Sequence, residues 1–261
     1  MFMEERHHAI LELLAAEGRV SITDLQERFE VSADSARRDL RLMEERGLLK
    51  RTHGGAIPLQ QVGFMPPRNR EIKEMQVLDN YDAIAKAGAS FVRANDIVYL
   101  TSGSVGFLML KYLPRDMPYT LVVNSVALAN ELKMWDNVVV YVTGGKMRMH
   151  STGSLVDSFS TAFVKNLHFD LCLMTAAGID AAFGLSDGTD ETAAFQRAVL
   201  ENARRRVLLM PCRKVGFKAF IRVCDAGCFD TLVTDWDAPE DELTRLEEAG
   251  LRIVIAEKAA R

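Results

Sequence analysis

The sequence predicts an α/β protein in two parts: a small helical part that ends in a β-hairpin, and a larger part built on a mostly parallel sheet. Residues 1–57 carry three short helical patterns and then two extended runs around a glycine pair. Residues 75–261 carry short apolar runs that alternate with helical stretches, which is typical of a parallel sheet covered by helices. Residues 58–74 show neither periodicity and hold three prolines, so we expect a linker there.

Spacing and capping residues define the three helices of the first part. Ile10 and Leu14 lie one helical turn apart in the first helix, and a second helical pattern runs from Ile22 to Phe29. Ser32 is a good N-cap for a third helix over residues 33–46. Three short helices in this order, followed by a hairpin, predict a winged helix-turn-helix.

The third helix and the hairpin carry a local positive charge. Between Arg37 and Arg51, six Arg and Lys residues stand against three Asp and Glu residues, whereas the whole chain has a net charge of −4. In a helix-turn-helix the second helix of the motif enters the major groove, where arginine can bond to guanine or phosphate. Asp39 is expected to pair with a neighbouring arginine, and the Gly54-Gly55 pair would let the hairpin backbone approach a phosphate chain. A solvated amphipathic helix is the alternative, but the order of the elements favours DNA binding.

Residues 6–57 resemble the DeoR-type helix-turn-helix of bacterial regulators. Residues 6–14 match its opening Arg, Ile and Leu at four-residue steps, and 31–32 match its Val-Ser turn. Residues 36–40 match its recognition-helix core, and 47–56 match its closing Gly-Leu-Leu and His-Gly-Gly-Ala. The resemblance implies base or phosphate contacts from the helix. With the charge pattern, it suggests these DNA-binding residues: Ser32, Ser35 (where the family usually has threonine), Arg37, Arg38, Arg41, Arg51, His53 and Gly54.

Loops of small and polar residues follow four of the predicted strands in the second part. These strands end at Leu100, Val123, Val142 and Met174, and one of the helical stretches runs over residues 191–205. Because ligands of α/β proteins bind where the carboxyl ends of parallel strands meet, we expect the loops to line one pocket. Their hydroxyls and backbone N–H groups would suit an anion, although such loops also occur as plain connections between strands.

Residues 75–258 resemble the DeoR-type C-terminal sensor domain, which is similar in fold to ribose-5-phosphate isomerase and CoA-transferases. The matching motifs are Gly103-Ser104, residues 122–125, Gly144-Gly145, residues 178–180, Lys214-x-Gly216 and Thr234-Asp235. The resemblance implies that a phosphorylated sugar or a related metabolite binds here and releases a repressor from DNA. The loops and the resemblance together suggest these effector-binding residues: Thr101, Ser102, Gly103, Ser104, Asn124, Ser125, Gly144, Gly145, Lys146, Gly178, Asp180, Glu191 and Lys214.

Three positions depart from the sensor-domain pattern. Thr101 stands where the family usually has aspartate, and Gln196 ends a motif that usually reads Glu-Val-Lys. Pro211 replaces an aspartate three residues before Lys214. These changes remove carboxylates that general acid–base catalysis would need, so we expect no catalytic residues. They also indicate an effector that is unusual or less charged, or a sensor that has lost its ligand.

We predict a DNA-binding transcriptional regulator, a repressor of a sugar or carbohydrate operon that a phosphorylated sugar-type effector releases from double-stranded DNA. The alternative is a sugar-phosphate isomerase-like enzyme with an appended DNA-binding domain. Because helix-turn-helix proteins usually bind paired half-sites, we expect a homo-oligomer, a dimer or tetramer, held together by residues 75–261.

We expect no cofactor, no metal ion and no membrane association. The four cysteines lack the tight paired spacing of structural zinc sites. No apolar run approaches the roughly 20 residues that span a bilayer, and the acidic residues near the start do not fit a secretory signal. The expected location is therefore the cytoplasm.

Overall fold

A computed structural model describes residues 3–17, 20–46, 48–52, 54–58, 79–148 and 153–258. The chain divides into two compact units, Met1–Gly63 and Phe64–Arg261. From residue 59 onward the expected linker lies outside the described residues, and so does the predicted DNA contact His53.

The first unit consists of three helices and a small antiparallel sheet. Its elements are α1 (Met3–Glu17), β1 (Val20–Ser21), α2 (Ile22–Phe29), α3 (Ala33–Glu45), β2 (Leu49–Thr52) and β3 (Gly55–Pro58). Strands β2 and β3 form the predicted hairpin, and β1 pairs with β3 as a further strand that the sequence did not indicate. Ile10, Leu25, Leu40 and Leu49 meet in one buried core. The predicted winged helix-turn-helix is confirmed.

Local caps set the turn between α2 and α3. Ser21 begins α2 with a capping box: its side chain accepts a hydrogen bond from the N–H of Asp24, whose carboxylate accepts one from the N–H of Ser21. Glu30 ends α2 in the left-handed region, with φ of 54°. Ser32 begins α3 as the predicted N-cap and accepts the N–H of Ser35 at 3.2 Å. The change of direction is thus confined to the short segment between the two helices.

The second unit is built on a large sheet with helices on its faces. Its helices are α4 (Asp79–Ala89), α5 (Ser104–Met109), α6 (Val126–Leu132), α7 (Ser158–Val164), α8 (Asp190–Glu201) and α9 (Glu240–Glu248). Its strands are β4 (Ile97–Leu100), β5 (Tyr119–Val123), β6 (Val138–Val142), β7 (Phe169–Met174), β8 (Gly178–Asp180), β9 (Gly184–Asp187), β10 (Ala203–Leu209), β11 (Ile221–Cys224), β12 (Thr231–Thr234) and β13 (Arg252–Ile255).

The large sheet is parallel throughout, in the order β13-β12-β10-β7-β4-β5-β6. This confirms the predicted α/β class. Val98 and Leu100 of β4 pack into the core on one face, and Tyr99 packs into the core on the other. Tyr99 meets the edge of Phe169, with ring centroids 6.0 Å apart. Both faces of the central strands are therefore buried, which explains their continuous apolar sequence.

The second unit departs from the sequence prediction in two places. Strands β11, β9 and β8 form a separate antiparallel sheet, which no periodicity indicated because each strand has only 3 or 4 residues. The helix predicted over 191–205 ends at Glu201, and β10 begins at Ala203, which pairs with Phe169. The arginines at 204–206 would suit an exposed helix surface equally well. Only the pairing with β7 makes this segment a strand.

Among the described residues, no helix combines the length and the apolar character needed to cross a bilayer. Within the same ranges, no group of three or more His, Cys, Asp or Glu side chains is arranged to hold a metal ion. Cys172 is buried, and Cys212, Cys224 and Cys228 are half-buried; all four are free thiols.

Candidate DNA-binding surface and effector site

Helix α3 has two faces of opposite character. Ala36, Leu40 and Met43 are buried in the core of the first unit. The exposed side chains include Ser35, Arg37, Arg38 and Arg41. The predicted recognition helix therefore presents its arginines to solvent, as a helix that enters the major groove requires.

A largely buried ion pair joins α3 to α1. The carboxylate of Asp39 accepts hydrogen bonds from Nε of Arg6 at 2.6 Å and from a terminal nitrogen of Arg6 at 3.2 Å. It also lies 3.2 Å from Nε2 of His7. The hydrogen bond to Asp39 raises the pKa of the Arg6 guanidinium. Asp39 is a structural residue paired with an arginine, as expected, but its partner is Arg6 of α1 and not an arginine near it in the sequence. The pair holds α3 against α1.

Two of the predicted DNA contacts form exposed pairs within the unit. Arg37 contacts Asp34 at 3.2 Å, and Arg51 bonds to a glutamate of α3 through its side chain at 2.7 Å and its backbone N–H at 2.8 Å. Exposed pairs of this kind contribute about 0–1 kcal/mol, so a phosphate can replace the partner. In the described part of the unit, neither Arg38 nor Arg41 has an ion-pair partner. Neither of these side chains has to give up an ion-pair partner before it contacts DNA.

The two glycines of the hairpin have different roles. A Cβ on Gly55 would lie 1.9 Å from the carbonyl oxygen of Val20, so this glycine serves the close pairing of β1 with β3. A Cβ on Gly54 would meet no atom within 4 Å, and the carbonyl of Gly54 accepts the N–H of Ile22 at 2.9 Å. Gly55 is thus required by the strand pairing, whereas Gly54 is exposed to solvent.

In the second unit, the neighbouring strands β4, β7 and β10 end close together. The N–H of Thr101 donates to the carbonyl of Leu173 at 3.0 Å, which joins the end of β4 to the end of β7. A Cβ on Gly103 would lie 2.7 Å from Cγ2 of Thr175. Thr101 itself is buried. The loop predicted to bind an effector after β4 therefore reaches the carboxyl edge of the central strands.

Helix α5 begins directly at this edge. Ser104 is its first residue and Gly103 its N-cap, which supplies no side-chain hydrogen bond. Ser102 and Ser104 are half-buried. A Cβ on Gly106 would lie 2.0 Å from the carbonyl oxygen of Thr101, so only glycine allows α5 to pack this closely. The helix has six residues, so its dipole is a weak source of anion affinity.

Lys214 brings a half-buried cation to the same edge. It lies in a 3₁₀ turn after β10, and its Nζ donates to the carbonyl of Ala176 at 2.7 Å. Burial lowers the pKa of Lys214 to about 8; Arg213 lowers it further, and Asp187 opposes the shift. An ammonium group has three donors, of which this carbonyl takes one. Lys214 is therefore suited to an anionic or hydrogen-bonding ligand.

Gln196, Asp187 and Thr175 form a hydrogen-bonded group next to Lys214. Nε2 of Gln196 donates to Oδ2 of Asp187 at 2.9 Å and to the carbonyl of Thr175 at 3.3 Å. Gln196 is 5% exposed, and no residue in the described ranges donates to its Oε1. From the sequence, Gln196 was predicted only as a lost charge, and Asp187 was not predicted as a site residue. A polar residue on the buried face of a helix was the signal that could have indicated it.

Arg148 reaches α8 from the loop after β6. Its guanidinium donates to Oγ1 of Thr192 at 2.9 Å and of Thr189 at 3.4 Å. Thr189 is the N-cap of α8, and Thr192 lies one turn before Gln196 on the same side of the helix. Glu191, a predicted effector residue, is exposed in this first turn. Arg148 is thus a second cation near this edge, and no sequence motif predicted it.

Other predicted effector residues hold the surrounding loops together. Asn124 accepts a hydrogen bond from the hydroxyl of Tyr99 at 3.2 Å, and Ser125 is the N-cap of α6. Asp180 accepts two backbone N–H groups in the turn between β8 and β9. A Cβ on Gly178 would lie 2.2 Å from a backbone carbonyl. The contacts of these four residues are those of loop-building positions.

The loop after β6 is fixed by Asp157. Its carboxylate accepts the N–H of Lys146 at 2.9 Å, and hydrogen bonds from the N–H groups of Ser160 and Lys146 lower its pKa. Gly145 has φ of 116°, and a Cβ there would lie 2.2 Å from Asp157. The carbonyl of Gly144 accepts the hydroxyl of Ser160 at 2.5 Å. The side chain of Lys146 is exposed, so this predicted residue stands at the rim of the carboxyl edge.

Both parts of the chain match known families. Residues 6–62 match the DeoR-like helix-turn-helix domain, and residues 78–236 match the DeoR C terminal sensor domain. The chain is 30% identical over 254 residues to the HTH-type transcriptional regulator GlpR of Haloferax volcanii, covering 97% of this chain and 98% of that protein. It is 26% identical over 240 residues to the glycerol-3-phosphate regulon repressor of Escherichia coli, covering 92% and 93%. Ribose 5-phosphate isomerase A from Neisseria gonorrhoeae aligns at a TM-score of 0.38 and 15% identity over 57% of each chain.

These matches cover the two units in the order that the sequence predicted. The relatives are named as transcriptional regulators rather than enzymes, so the isomerase-like alternative is set aside. A helix-turn-helix unit with an exposed arginine face, joined to a sensor-type α/β unit, agrees with that assignment. The chain belongs to the DeoR family of DNA-binding transcriptional regulators.

Proposed function

We propose that this regulator represses a sugar or carbohydrate operon and that a phosphorylated sugar-type effector releases it from double-stranded operator DNA. Residues 1–57 bind the DNA, and residues 75–261 bind the effector and assemble the oligomer, in the cytoplasm. The exposed arginine face of α3 is the main observation that supports DNA binding by residues 1–57. The proposed contacts are Ser32, Ser35, Arg37, Arg38, Arg41, Arg51, His53 and Gly54.

The effector half is supported by the cations at the carboxyl edge. Lys214 is half-buried there, with two donors beyond its bond to Ala176, and Arg148 is held at the first turn of α8. A phosphate accepts charge-assisted hydrogen bonds, so it is a suitable ligand for the ammonium group of Lys214. The Escherichia coli relative is named for a glycerol-3-phosphate regulon, which agrees with a small phosphorylated effector. The loop at residues 101–104, which links β4 to α5, lies at the same edge.

A second copy of the chain is the proposed partner of strand β6. This strand is an edge of the large sheet and carries no charged residue. Val139, Tyr141 and Val142 are 59%, 51% and 41% exposed. Edge strands of this kind are normally protected by charges or covered. Pairing of two copies would also bring two DNA-binding units to paired half-sites. The mass in solution tests this: a strict monomer that binds specific DNA contradicts it.

Fluorescence anisotropy tests the DNA half. The protein is titrated into labelled DNA from upstream of its own gene, with scrambled DNA as the control, at one near-physiological salt concentration. The proposal predicts tighter binding to the upstream DNA than to the scrambled DNA. Equal binding to both would contradict the assignment of this operator. Addition of phosphorylated sugars then tests release.

A further inference from the structure

Two neighbouring residues determine the orientation of the side-chain amide of Gln196. Its nitrogen lies 2.9 Å from Oδ2 of Asp187 and 3.3 Å from the carbonyl oxygen of Thr175. A carbonyl and an ionised carboxylate only accept hydrogen bonds. Turning the amide over would place its oxygen against two other oxygens, which is unfavourable. Nε2 therefore faces Asp187 and Thr175, and Oε1 faces away from them.

Oε1 of Gln196 is a buried acceptor that no described residue serves. Buried polar atoms in proteins are nearly always hydrogen-bonded, because leaving one without a partner is unfavourable. The two neighbours that orient the amide cannot donate to its oxygen. A donor from a bound molecule would complete the hydrogen bonding of Gln196.

The charges around Gln196 favour one kind of donor. Lys214 donates to the carbonyl of Ala176, which directly follows the Thr175 carbonyl that Gln196 contacts. Arg148 is held by Thr192, one helical turn from Gln196. These two cations already outnumber the one carboxylate that contacts Gln196, that of Asp187, so a further positive charge such as an ammonium group is disfavoured. A hydroxyl group is neutral and donates well, so it is the donor that fits.

We propose that Oε1 of Gln196 accepts a hydrogen bond from a hydroxyl group on the carbon chain of the effector. Gln196 is then a specificity residue that selects a polyhydroxylated ligand over its deoxy counterpart, and Asp187 is the positioning residue that sets the amide. This inference rests on the proposed function, since it places the effector at the carboxyl edge of β4, β7 and β10.

Gln196→Lys removes the acceptor while keeping donors toward Asp187 and Thr175, because an ammonium group donates three hydrogen bonds and accepts none. Ala194→Lys is the matched control. Residue 194 is exposed on the same helix, so this variant adds the same charge without touching the buried amide. The folding of both variants is compared with wild type by circular dichroism and melting temperature.

Isothermal titration calorimetry on the full chain measures the affinity for two probe sets. The first set is D-ribose 5-phosphate and 2-deoxy-D-ribose 5-phosphate. The second is sn-glycerol 3-phosphate with its two analogues that each lack one hydroxyl. Free D-ribose and glycerol are included to separate the hydroxyl contact from the phosphate contact. We expect wild type and Ala194→Lys to prefer the hydroxylated member over one deoxy analogue by about tenfold, the worth of one hydrogen bond of about 1.4 kcal/mol. Gln196→Lys should bind the hydroxylated probe and its deoxy analogue equally.

Each other outcome overturns one claim. A wild-type protein that binds these probes without preferring the hydroxyl contradicts the role of Gln196, and this comparison needs no variant. The same conclusion follows if Gln196→Lys keeps the preference. If free ribose or glycerol binds and wild type still prefers the hydroxylated probes over their deoxy analogues, the role of Gln196 is supported. That result contradicts a phosphorylated effector. No binding of any probe to wild type contradicts the effector half of the proposed function, and the inference falls with it.

Discussion

Breaking the ion pair between Asp39 and Arg6 should destabilise the first unit strongly. Asp39→Ala removes the acceptor of two hydrogen bonds, at 2.6 and 3.2 Å, and deprives the Arg6 guanidinium of this carboxylate. Removing one partner of a buried pair costs about 3–5 kcal/mol. The Arg6 side chain is 14% exposed and can regain some hydration, so we expect the lower end, about 3 kcal/mol in the free energy of unfolding.

Asp34→Ala is the matched control for this substitution. Asp34 lies on the same helix and pairs with Arg37, but its side chain is 93% exposed. Water already screens such a pair, so its loss should change the free energy of unfolding by less than about 0.5 kcal/mol. The two variants therefore differ mainly in the burial of the carboxylate that they remove.

Urea unfolding with two probes separates the units. Both tryptophans, Trp135 and Trp236, lie in the second unit, so their fluorescence follows that unit, whereas far-ultraviolet circular dichroism follows the helices of both. Asp39→Ala should move part of the helical transition to lower urea and leave the tryptophan transition in place. An effect no larger than that of Asp34→Ala, or an equal shift of both probes, would refute the role of Asp39 as a clamp between α1 and α3.

Substitutions in α3, at Gly106 and at Lys214 affect DNA binding, packing and pH dependence separately. Arg37→Ala or Arg38→Ala should cost about 1–3 kcal/mol in operator affinity if the side chain reads a base, and should reduce the salt slope by about 1 if it meets phosphate. Anisotropy titrations at several salt concentrations check this, and unchanged affinity in both variants would remove α3 from recognition. Gly106→Ala should destabilise the second unit by about 3 kcal/mol, since its Cβ would lie 2.0 Å from the backbone oxygen of Thr101; an unchanged melting temperature would contradict the close packing. Because burial lowers the pKa of Lys214 to about 8 from 10.5, the native state releases this proton at lower pH than the unfolded chain. Relative to Lys214→Met, wild type should therefore gain about 2 kcal/mol of stability between pH 7.5 and 9.5, and a pH-independent difference in urea unfolding would show that Lys214 is not buried as a cation.

The elements of the first unit could be predicted because their signals are local. Ser32 caps α3 through a neighbour three residues away, and the spacing of Leu40 and Met43 shows which face is buried. Asp39 could be predicted as a structural residue, but its partner Arg6 lies 33 residues away. The strand β1 could not be predicted, because two residues carry no periodicity.

The candidate effector site was predicted only in part, because its hydrogen bonds join distant segments. Lys214 was identified from its motif, and the loop at 101–104 from its position after a strand. Gln196 was predicted as a lost charge because the family motif usually has a lysine at this position. The orientation of its buried amide depends on Asp187 and on the end of β7, which the motif does not show. Arg148 lies 44 residues from the threonine that it contacts most closely, so no local pattern could place it at α8.

Release of operator DNA by a small phosphorylated ligand tests the proposed function most directly. Anisotropy of a labelled upstream fragment would be followed with wild type and with Lys214→Ala while D-ribose 5-phosphate, D-fructose 1-phosphate or sn-glycerol 3-phosphate is added at fixed salt. We predict that at least one of these compounds releases wild type and that scrambled DNA is bound weakly throughout. Lys214→Ala should bind the operator normally but respond less to the compound. Release that is equal in both proteins, or operator binding that none of the compounds changes, would contradict an effector site at Lys214.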